Sequence, residues 1–254
     1  MWLILVMMTD RFSRTELLIG KEALDKLRRS RVAVFGLGAV GSYAVEALAR
    51  AGVGHLRLVD CDCIRPGNIN RQLYALESTL NMPKSEVARQ RVLDINPACE
   101  VEALQEFVSK KNMDAILRKP LDAVVDAIDS LTPKVELLAA CVAAGIPIIS
   151  SMGAATRLDP SMIRVDDISG TDVCPLARFV RKRLRRKGIS RGITCIYSLE
   201  EARNVSAATA GDEPAVCERG RQRRTIGSLS YITGIFGLLA AGEALKVLVP
   251  LKKA

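Results

Sequence analysis

The stretch RVAVFGLGAVG, residues 31–41, decides the fold of this chain. Five residues with strand propensity run directly into a loop with glycines at three positions, and a helical pattern follows. In such a loop, Gly36 permits the tight turn, Gly38 lets the backbone approach a phosphate, and Gly41 lets the helix pack closely on the strand. The N-terminus of the helix adds a positive dipole. Because a strand and a helix flank the glycines, the stretch predicts a nucleotide-binding site rather than an accidental glycine turn.

Through the first 150 residues, apolar runs bounded by Gly, Pro or Asp alternate with helical patterns. The predicted strands lie at 31–35, 55–60, 101–107, 122–128 and 146–150. The predicted helices lie at 41–51, 84–95, 112–118 and 133–144. Such alternation is typical of parallel strands joined by crossover helices, with ligands at the carboxyl ends of the strands. The expected class is α/β, with a Rossmann-like, doubly wound and mainly parallel sheet.

The pattern changes after Gly153. Short, polar-interrupted strands are predicted near 155–168 and 192–198, with a basic helix between them. A loop rich in glycine and charge follows at about 199–224, and an apolar helix comes near the end of the chain. We expect these strands to extend the sheet in the antiparallel sense, as an elaboration of the same domain.

The positive charge of the chain is concentrated in its second part. Of the net charge of +9, residues 1–150 carry +1 and residues 151–254 carry +8. The second part is therefore expected to meet a polyanion. Hydrophobic residues make up 49% of the chain, enough for a sizeable core, which excludes a disordered protein. We expect a single domain over 1–254, with a nucleotide-binding part at 11–153 and a basic part at 154–254.

Cysteine usage and the apolar segments predict a reduced, cytoplasmic protein. Seven cysteines are an odd number and none forms a C-x-x-C pair, so we expect free thiols and no structural zinc site. The apolar opening at 1–8 lacks the basic leader and the cleavage site of a signal peptide. The charge-free stretch Thr225 to Gly242 is diluted by glycines and followed by Glu243 and Lys246. We expect it to form a helix in the core or at a subunit interface and not a membrane span.

Charged residues that follow the predicted strands decide between two nucleotides. Asp60 closes the strand after the glycine loop, where an acid can accept hydrogen bonds from ribose hydroxyls. Further along, Arg71 and Lys84 could neutralise the β- and γ-phosphates while Asp129 holds magnesium. A dinucleotide pyrophosphate cradled by backbone would not need two more cations, so the cluster favours ATP. Taken singly, these residues could equally be a solvated Arg, a solvated Lys and a helix N-cap Asp.

Histidine catalysis is nearly excluded. The only histidine, His55, precedes a predicted strand beside Gly52-Val53-Gly54 and is expected to be a packed or surface residue. Without it, the chain cannot assemble a serine–histidine nucleophile pair or the histidine acid found in many dehydrogenases.

At these residues the sequence resembles the ubiquitin-activating-enzyme-like family of adenylating enzymes, which includes the activators of molybdopterin and thiamin sulfur carriers. The resemblance covers nearly the whole chain from Arg11 onward. It implies that Asp60 binds the ribose, that Asn68, Arg71 and Lys84 bind the triphosphate and act in catalysis, and that Asp129 is the magnesium carboxylate. The candidate nucleotide-binding residues are Gly36, Gly38, Gly41, Asp60, Asp62, Asn68, Arg71, Gln72, Lys84 and Asp129.

The segment Arg11-Phe12-Ser13-Arg14 resembles the amino-terminal segment from which the family dimer inserts an arginine into the partner's ATP site. The resemblance therefore implies a homodimer that uses ATP and Mg²⁺. Arg14 is the candidate catalytic residue that would act across the dimer.

Three features distinguish the chain from the sulfur-carrier activators. Their zinc-binding C-x-x-C pairs are missing, and the second part is strongly basic. The stretch TCIYSLE at 194–200, followed by Gly227-Ser228, resembles the tRNA threonylcarbamoyladenosine dehydratase subfamily. Members of that subfamily use ATP to activate the carboxylate of the threonylcarbamoyl group beside the anticodon, and the activated group closes into a ring with loss of water. The resemblance implies a tRNA bearing threonylcarbamoyladenosine as the partner.

The basic helix fits an RNA partner. Eight basic residues and no acid lie between Arg178 and Arg191. Leu176, Val180 and Leu184 recur at helical spacing and would bury one stripe. Charge runs are usually solvated faces, but a second cluster at 219–224 in the same part favours RNA. The residues predicted to face outward and contact tRNA phosphates are Arg181, Lys182, Arg185 and Arg186.

Cys217 is a possible nucleophile, because a thioester could be carried on the segment around it. Cysteines are more often small buried hydrophobes, and ring closure could use an internal nucleophile instead.

Three hypotheses follow. The leading one is an ATP-dependent tRNA-modifying dehydratase. The second is an adenylating activator of a ubiquitin-like sulfur-carrier protein, and the third is a nucleotide-sensing RNA-binding module without turnover. The sequence leaves open the tRNA preference and the involvement of a sulfur-transfer helper protein.

Overall fold

The structure is a computed structural model that describes residues 11–118, 120–202 and 226–249. In this part of the chain, seven strands form one sheet: β1 (Arg31–Phe35), β2 (His55–Val59), β3 (Glu100–Leu104), β4 (Ala123–Asp126), β5 (Ile148–Ser151), β6 (Ile163–Asp167) and β7 (Thr194–Ser198). The strands lie in the order β3-β2-β1-β4-β5-β7-β6. The order reverses between β1 and β4, which is the switch point where doubly wound sheets bind ligands.

The helices that the structure describes are α1 (Ser13–Ile19), α2 (Lys21–Arg29), α3 (Gly41–Ala51), α4 (Lys84–Ile95), α5 (Met113–Ile116), α6 (Leu131–Ala144), α7 (Pro175–Arg185) and α8 (Ser230–Leu248). Six of them match predicted helical segments. Helices α1 and α2 were not predicted. Only Leu24 and Leu27 of α2 are buried, and α1 buries no residue, so neither presents a long apolar stripe in the sequence.

The sheet is buried on both faces because successive side chains of a strand point to opposite sides. Val32 and Val34 of β1 belong to one apolar cluster, which includes residues of α3 and α8. Ala33 and Phe35 belong to the other cluster, which includes residues of α6 and α7. This arrangement confirms the predicted α/β class with a mainly parallel, doubly wound sheet.

The second part of the chain continues the same sheet. β7 pairs in parallel with β5, and β6 pairs in the antiparallel sense with β7 at the edge. The antiparallel extension is therefore confirmed for the edge strand β6. The strand predicted from residue 155 begins only at Ile163, because Asp159 accepts a hydrogen bond from the backbone N–H of Ser161 at 2.8 Å and forms a turn there.

Helix α8 packs in the core. Among the described residues it is the one helix long and apolar enough to cross a membrane by length and composition, and half of its apolar window is buried. Ile232, Phe236, Ala240 and Ala244 have no exposed surface and join the cluster that contains α3. These contacts agree with the expectation of a core helix.

Candidate active site

The glycine loop follows β1 at a point where the backbone leaves little room for side chains. Gly36 has a φ of +83°, and a Cβ there would lie 2.7 Å from the carbonyl oxygen of Ala127. A Cβ on Gly41 would lie 1.7 Å from the carbonyl oxygen of Gly36. At Gly38, a Cβ would lie 3.7 Å from Nε2 of Gln72. The loop is therefore closed tightly onto α3 and the end of β4, and Gln72 lies beside its middle glycine.

Asp60 follows β2 and fixes the glycine loop. Its Oδ2 accepts a hydrogen bond from the backbone N–H of Leu37 at 2.6 Å, and its Oδ1 accepts one from the N–H of Asp62 at 2.8 Å. Burial raises the pKa of Asp60, and the nearby charge of Lys84 opposes that rise. Because each carboxylate oxygen can accept more than one hydrogen bond, Asp60 retains capacity to bind a ribose hydroxyl.

Lys84 is the first residue of α4, and its side chain lies beside Asp60 and Asp62. Its Nζ lies 3.2 Å from Oδ2 of Asp62, and its backbone N–H donates to the carbonyl of Asp62 at 3.0 Å. The Lys84 side chain is only 7% exposed. A buried ammonium beside the glycine loop is a suitable group to bind a phosphate, since its charge is poorly screened there.

Asn68 stabilises the turn that contains Arg71, one of the two predicted phosphate-binding cations. Its Oδ1 accepts from the N–H of Arg65 at 3.1 Å, and its carbonyl accepts from the N–H groups of Arg71 and Gln72. The sequence predicted Asn68 as a ligand of the triphosphate. In the structure its side-chain oxygen stabilises the turn, which leaves its amide nitrogen as the group that could bind ATP.

Arg71 and Asp129 lie near each other across the switch point. Nη1 of Arg71 donates to Gly67 O and to Asn70 Oδ1, each at 2.7 Å. Burial lowers the pKa of Arg71, and the charge of Asp129 opposes that effect. The structure thus brings the loops after β2 and β4 together, as the predicted ATP site requires.

A buried ion pair behind Asp129 was missed by the sequence analysis. Nζ of Lys134 lies 2.5 Å from Oδ2 of Asp126, and neither side chain has any exposed surface. Lys134 also donates to Ser151 O at 2.9 Å, and Ser150 Oγ donates to Asp126 at 2.6 Å. The signal was present, because Lys134 shares a helical stripe with apolar residues such as Leu138, and a lysine on a core face needs a buried partner.

Among the described residues, one other group of side chains could compete with Asp129 for the magnesium ion. Ligand atoms of Asp60, Cys61 and Asp62 lie within 4.8 Å of one another. Mg²⁺ prefers oxygen ligands, whereas this group includes a thiol, and Asp62 is paired with Lys84. Asp129, which is exposed at the carboxyl edge of the sheet, fits the ion better because ATP phosphates and water can complete an oxygen shell.

Arg14 lies at the far end of the molecule from the glycine loop of its own chain. The side chain of Phe12 packs beside Gly52, which ends α3, and Arg11 Nη1 donates to Ile95 O at the end of α4 at 2.6 Å. Helices α3 and α4 begin near the glycine loop and end near Phe12 and Arg11. An 11-residue helix such as α3 is about 16 Å long. Two residues after Phe12, Arg14 cannot span that length, so its side chain does not reach the glycine loop of its own chain.

The basic face of α7 is only partly as predicted. Lys182, Arg185 and Arg186 are exposed, as expected. The prediction that Arg181 points outward is wrong, because its guanidinium donates to the backbone and hydroxyl oxygens of Thr171. The physical reason is helical periodicity: position 181 is four residues after Ala177 and three before Leu184, both of which are buried. Two further basic residues in or after α7 contact α6. Arg183 donates a hydrogen bond to Thr132, and Lys187 forms a salt bridge with Glu136.

Some predicted residues lie elsewhere. His55 Nδ1 is 3.0 Å from Glu100 Oε2 at the start of β2, the opposite end of that strand from the glycine loop, which agrees with the expected surface or packed role. Cys217 and the second basic cluster at 219–224 lie outside the described residues. The six described cysteines are free thiols, as expected.

A glycine loop at the switch point, an acid after β2 and facing cations define a nucleotide-binding enzyme of the adenylating type. The chain belongs to the ThiF family, whose model matches residues 12–254. It is 41% identical over 239 residues to the tRNA threonylcarbamoyladenosine dehydratase of Bacillus subtilis, with 93% of each chain covered. It is 34% identical to the protein of that name from Escherichia coli, with 93% of this chain and 92% of that one covered. The E. coli tRNA N6-threonylcarbamoyladenosine dehydratase in complex with ATP matches with a TM-score of 0.83 at 33% identity, over 94% of both chains.

Proposed function

We propose that this protein is an ATP-dependent tRNA threonylcarbamoyladenosine dehydratase. The observation that carries the proposal is the meeting of Asp60, Lys84 and the Arg71–Asp129 pair at the glycine loop, in a chain whose relatives bear that name. The charge distribution supports it, since the part that follows the nucleotide fold carries +8 and exposes basic residues on α7. The reaction is adenylation of a carboxylate followed by ring closure.

In the first step, an oxygen of the threonylcarbamoyl carboxylate attacks the α-phosphorus of ATP. The bond from that phosphorus to the bridging oxygen breaks, and pyrophosphate leaves. Lys84 and Arg71 stabilise the negative charge that builds up on the phosphates, because their cationic groups are already fixed in a partly buried site. Asp129 would hold Mg²⁺, and the ion would supply positive charge to neutralise the phosphates.

In the second step, a nucleophile within the threonylcarbamoyl group attacks the activated carbonyl carbon. AMP leaves, the nucleophile loses a proton, and the nucleoside is lighter by one water than the starting nucleoside. Asp60 holds the glycine loop and the ribose in place through both steps. Cys217 is not required, because the ring closes on the group itself.

The assembly is a cytoplasmic homodimer in which Arg14 of one subunit completes the ATP site of the other. The distance of Arg14 from its own glycine loop supports this arrangement, and Leu17 and Leu18 on the same helix are 87% and 86% exposed. Two large apolar side chains on an exposed helix fit a contact between subunits. The tRNA contacts Lys182, Arg185 and Arg186 in the part at 154–254, and this part adds to the subunit contact that α1 makes.

The test is to incubate the purified protein with ATP, Mg²⁺ and tRNA bearing threonylcarbamoyladenosine, and to analyse the nucleosides by mass spectrometry. We expect a product lighter by one water, with AMP and pyrophosphate formed in equal amounts. Lys84→Ala should lower turnover about 100-fold or more, as expected for loss of a preorganised charge. Lys110→Ala, at an exposed lysine in the loop before α5, is the matched control and should remain fully active.

Two outcomes would reject the proposal. If the tRNA is recovered unchanged while the carboxyl terminus of a sulfur-carrier protein is adenylated, the chain is an activator of that protein. If ATP and tRNA bind but no substrate-dependent pyrophosphate exchange occurs, the chain is a binding module without turnover.

A further inference from the structure

Three buried side-chain atoms have no hydrogen-bond partner in the described part of the chain. They are Nε and Nη2 of Arg157 and Oγ of Ser228. Buried polar groups in folded proteins are nearly always paired, because an unpaired one loses its bonds to water without replacement. The unpaired atoms of Arg157 and Ser228 therefore need an explanation. Binding of a ligand with hydrogen-bond acceptors would pair them.

Arg157 is a charged group held away from water. It is 5% exposed, and only its Nη1 is bonded, to Ala155 O at 2.6 Å and to Thr156 Oγ1 at 3.4 Å. Both partners are uncharged, so within the described residues the guanidinium makes no ion pair. An uncompensated buried charge is strongly destabilising, and it favours the binding of an anion.

Hydrogen bonds join this region to the ATP site. The N–H of Thr156, next to Arg157, donates to Gly227 O at 2.9 Å, and Nδ2 of Asn70 donates to Ser228 O at 3.2 Å. Asn70 in turn accepts from Arg71, the predicted phosphate ligand. Ser228 and Arg157 therefore lie beside the turn that holds the triphosphate.

The same region borders the start of the basic helix. A Cβ placed on Gly153 would lie 3.9 Å from Nη1 of Arg157, 3.6 Å from Sγ of Cys174 and 3.8 Å from Cβ of Leu176. Cys174 is the residue just before α7, so the guanidinium lies close to the N-terminal turn of that helix. A helix N-terminus adds positive potential for an anion. Arg157 is thus placed between the ATP site and the helix that is proposed to contact tRNA.

We propose that Arg157 and Ser228 bind the carboxylate of the threonylcarbamoyl group before its adenylation. The inference rests on the proposed function and adds a substrate-binding site to it. Nε and Nη2 form one edge of the guanidinium, which is the fork that pairs with the two oxygens of a carboxylate. Ser228 supplies a further O–H donor. Each carboxylate oxygen keeps another lone pair, so one of them can still attack the α-phosphorus.

The test compares the binding of two tRNAs, one with and one without the threonylcarbamoyl group, by the wild type and by Arg157→Gln. We expect the wild type to bind the modified tRNA about 10- to 100-fold more tightly, as for a charge-assisted pair of hydrogen bonds. Arg157→Gln should lose this preference while its affinities for ATP and for unmodified tRNA are unchanged. Arg164→Gln removes an equal charge from an exposed arginine on β6 and should keep the preference.

Thermal unfolding separates ligand binding from a structural role. Because Arg157 is buried without an ion pair, Arg157→Gln should unfold at the same temperature as the wild type or higher, whereas a structural arginine would lower it. Ser228→Ala is an independent variant that should weaken binding of modified tRNA several-fold and leave unmodified tRNA unaffected.

Other results would overturn the inference. A preference that survives in both Arg157→Gln and Ser228→Ala excludes a carboxylate site here. A tenfold loss of ATP affinity would assign the site to a nucleotide phosphate, and equal losses for both tRNAs would assign it to a backbone phosphate of the RNA. If the wild type binds modified tRNA but does not dehydrate it, the proposed function fails, while the binding comparison still decides the role of Arg157.

Discussion

Lys134 shows how a single buried charge can organise a functional loop. The lysine lies on α6, its carboxylate partner Asp126 ends β4, and Ser150 of β5 donates to the same carboxylate. Oδ1 of Asp126 also accepts from the N–H of Ile128 at 3.0 Å. This network fixes the backbone that leads to Asp129, so the position of the proposed magnesium ligand depends on residues that do not touch ATP.

At this scale we predict that Asp126→Asn lowers the free energy of unfolding by about 3–5 kcal/mol, because it leaves the Lys134 ammonium buried without a counter-charge. Urea denaturation monitored by circular dichroism measures the change. The double variant Asp126→Asn/Lys134→Met should recover part of the loss, since it removes the unpaired charge. A double variant no more stable than Asp126→Asn alone would contradict this account.

At the scale of elements, a salt bridge ties the two helices that begin at the ATP site. Glu46 of α3 accepts from Nε and Nη2 of Arg91 on α4, both at 3.0 Å, and pairs with Arg50 within its own helix. Burial works to raise the pKa of Glu46, but the bonds to Arg91 and Arg50 more than compensate, so the pKa is lowered. The pair therefore stabilises α3 and α4 against each other when Glu46 is ionised.

The sign of the pH dependence follows from that lowered pKa. In the unfolded chain, Glu46 has its ordinary pKa of 4.5, so its contribution to stability is full above that value and is lost as the pH falls through the lower folded pKa. We predict that Glu46→Gln is less stable than the wild type near pH 7 and that the difference shrinks below about pH 4.5. Unfolding free energies measured from pH 3 to 7 test this. A difference independent of pH would show that packing, not charge, is responsible.

Helix α7 is the element that we expect to bind RNA. Replacing Lys182, Arg185 and Arg186 by Glu should abolish tRNA binding and leave ATP binding intact, because these exposed side chains lie on another element than the nucleotide loop. In the wild type, tRNA affinity should fall about 1000-fold between low and moderate salt if several phosphates are contacted. Lys110→Glu/Lys111→Glu is the control for a change in surface charge. Equal losses in both sets of variants would show that only the net charge matters.

At the scale of the whole molecule, the nucleotide-binding residues and most of the net positive charge lie in different parts of the chain. The nearly neutral part at 1–150 carries the glycine loop and the residues around it, and the part at 151–254 carries most of the net positive charge. One continuous sheet joins the two parts through the pairing of β5 with β7. In the proposed homodimer, Arg14 of one subunit would complete the ATP site of the other, so the complete site would need both subunits.

Mixing Arg14→Ala with Lys84→Ala should therefore restore activity. Each heterodimer would contain one intact site, so an equal mixture with free exchange should reach about a quarter of wild-type turnover. Each variant alone should remain inactive, and mixing either one with an excess of the other should follow the heterodimer fraction measured by mass spectrometry. If subunits exchange and no activity returns, the assignment of Arg14 across the dimer is wrong.

The sequence by itself determined the parallel sheet, the glycine loop and the acids and cations around it. These features follow from local periodicity and turn chemistry: a strand, a tight turn and a helix within 31–51 can adopt one arrangement, and parallel strands place their carboxyl ends at one edge. The need for glycine at position 41 could be predicted without tertiary information, because a side chain there would collide with Gly36, only five residues away.

Only the tertiary structure decided which charged side chains are buried and what they meet. Lys134 is buried because α6 packs on the sheet, and Arg181 is partly buried because it donates to Thr171 in the loop before α7. Arg157 is brought near Ser228 because Thr156, in the segment after β5, donates to Gly227 O just before α8. Such contacts join residues that are separated by up to 158 positions, as between Asn70 and Ser228. Their energies depend on burial, and burial is set by the packing of the whole chain rather than by any local pattern.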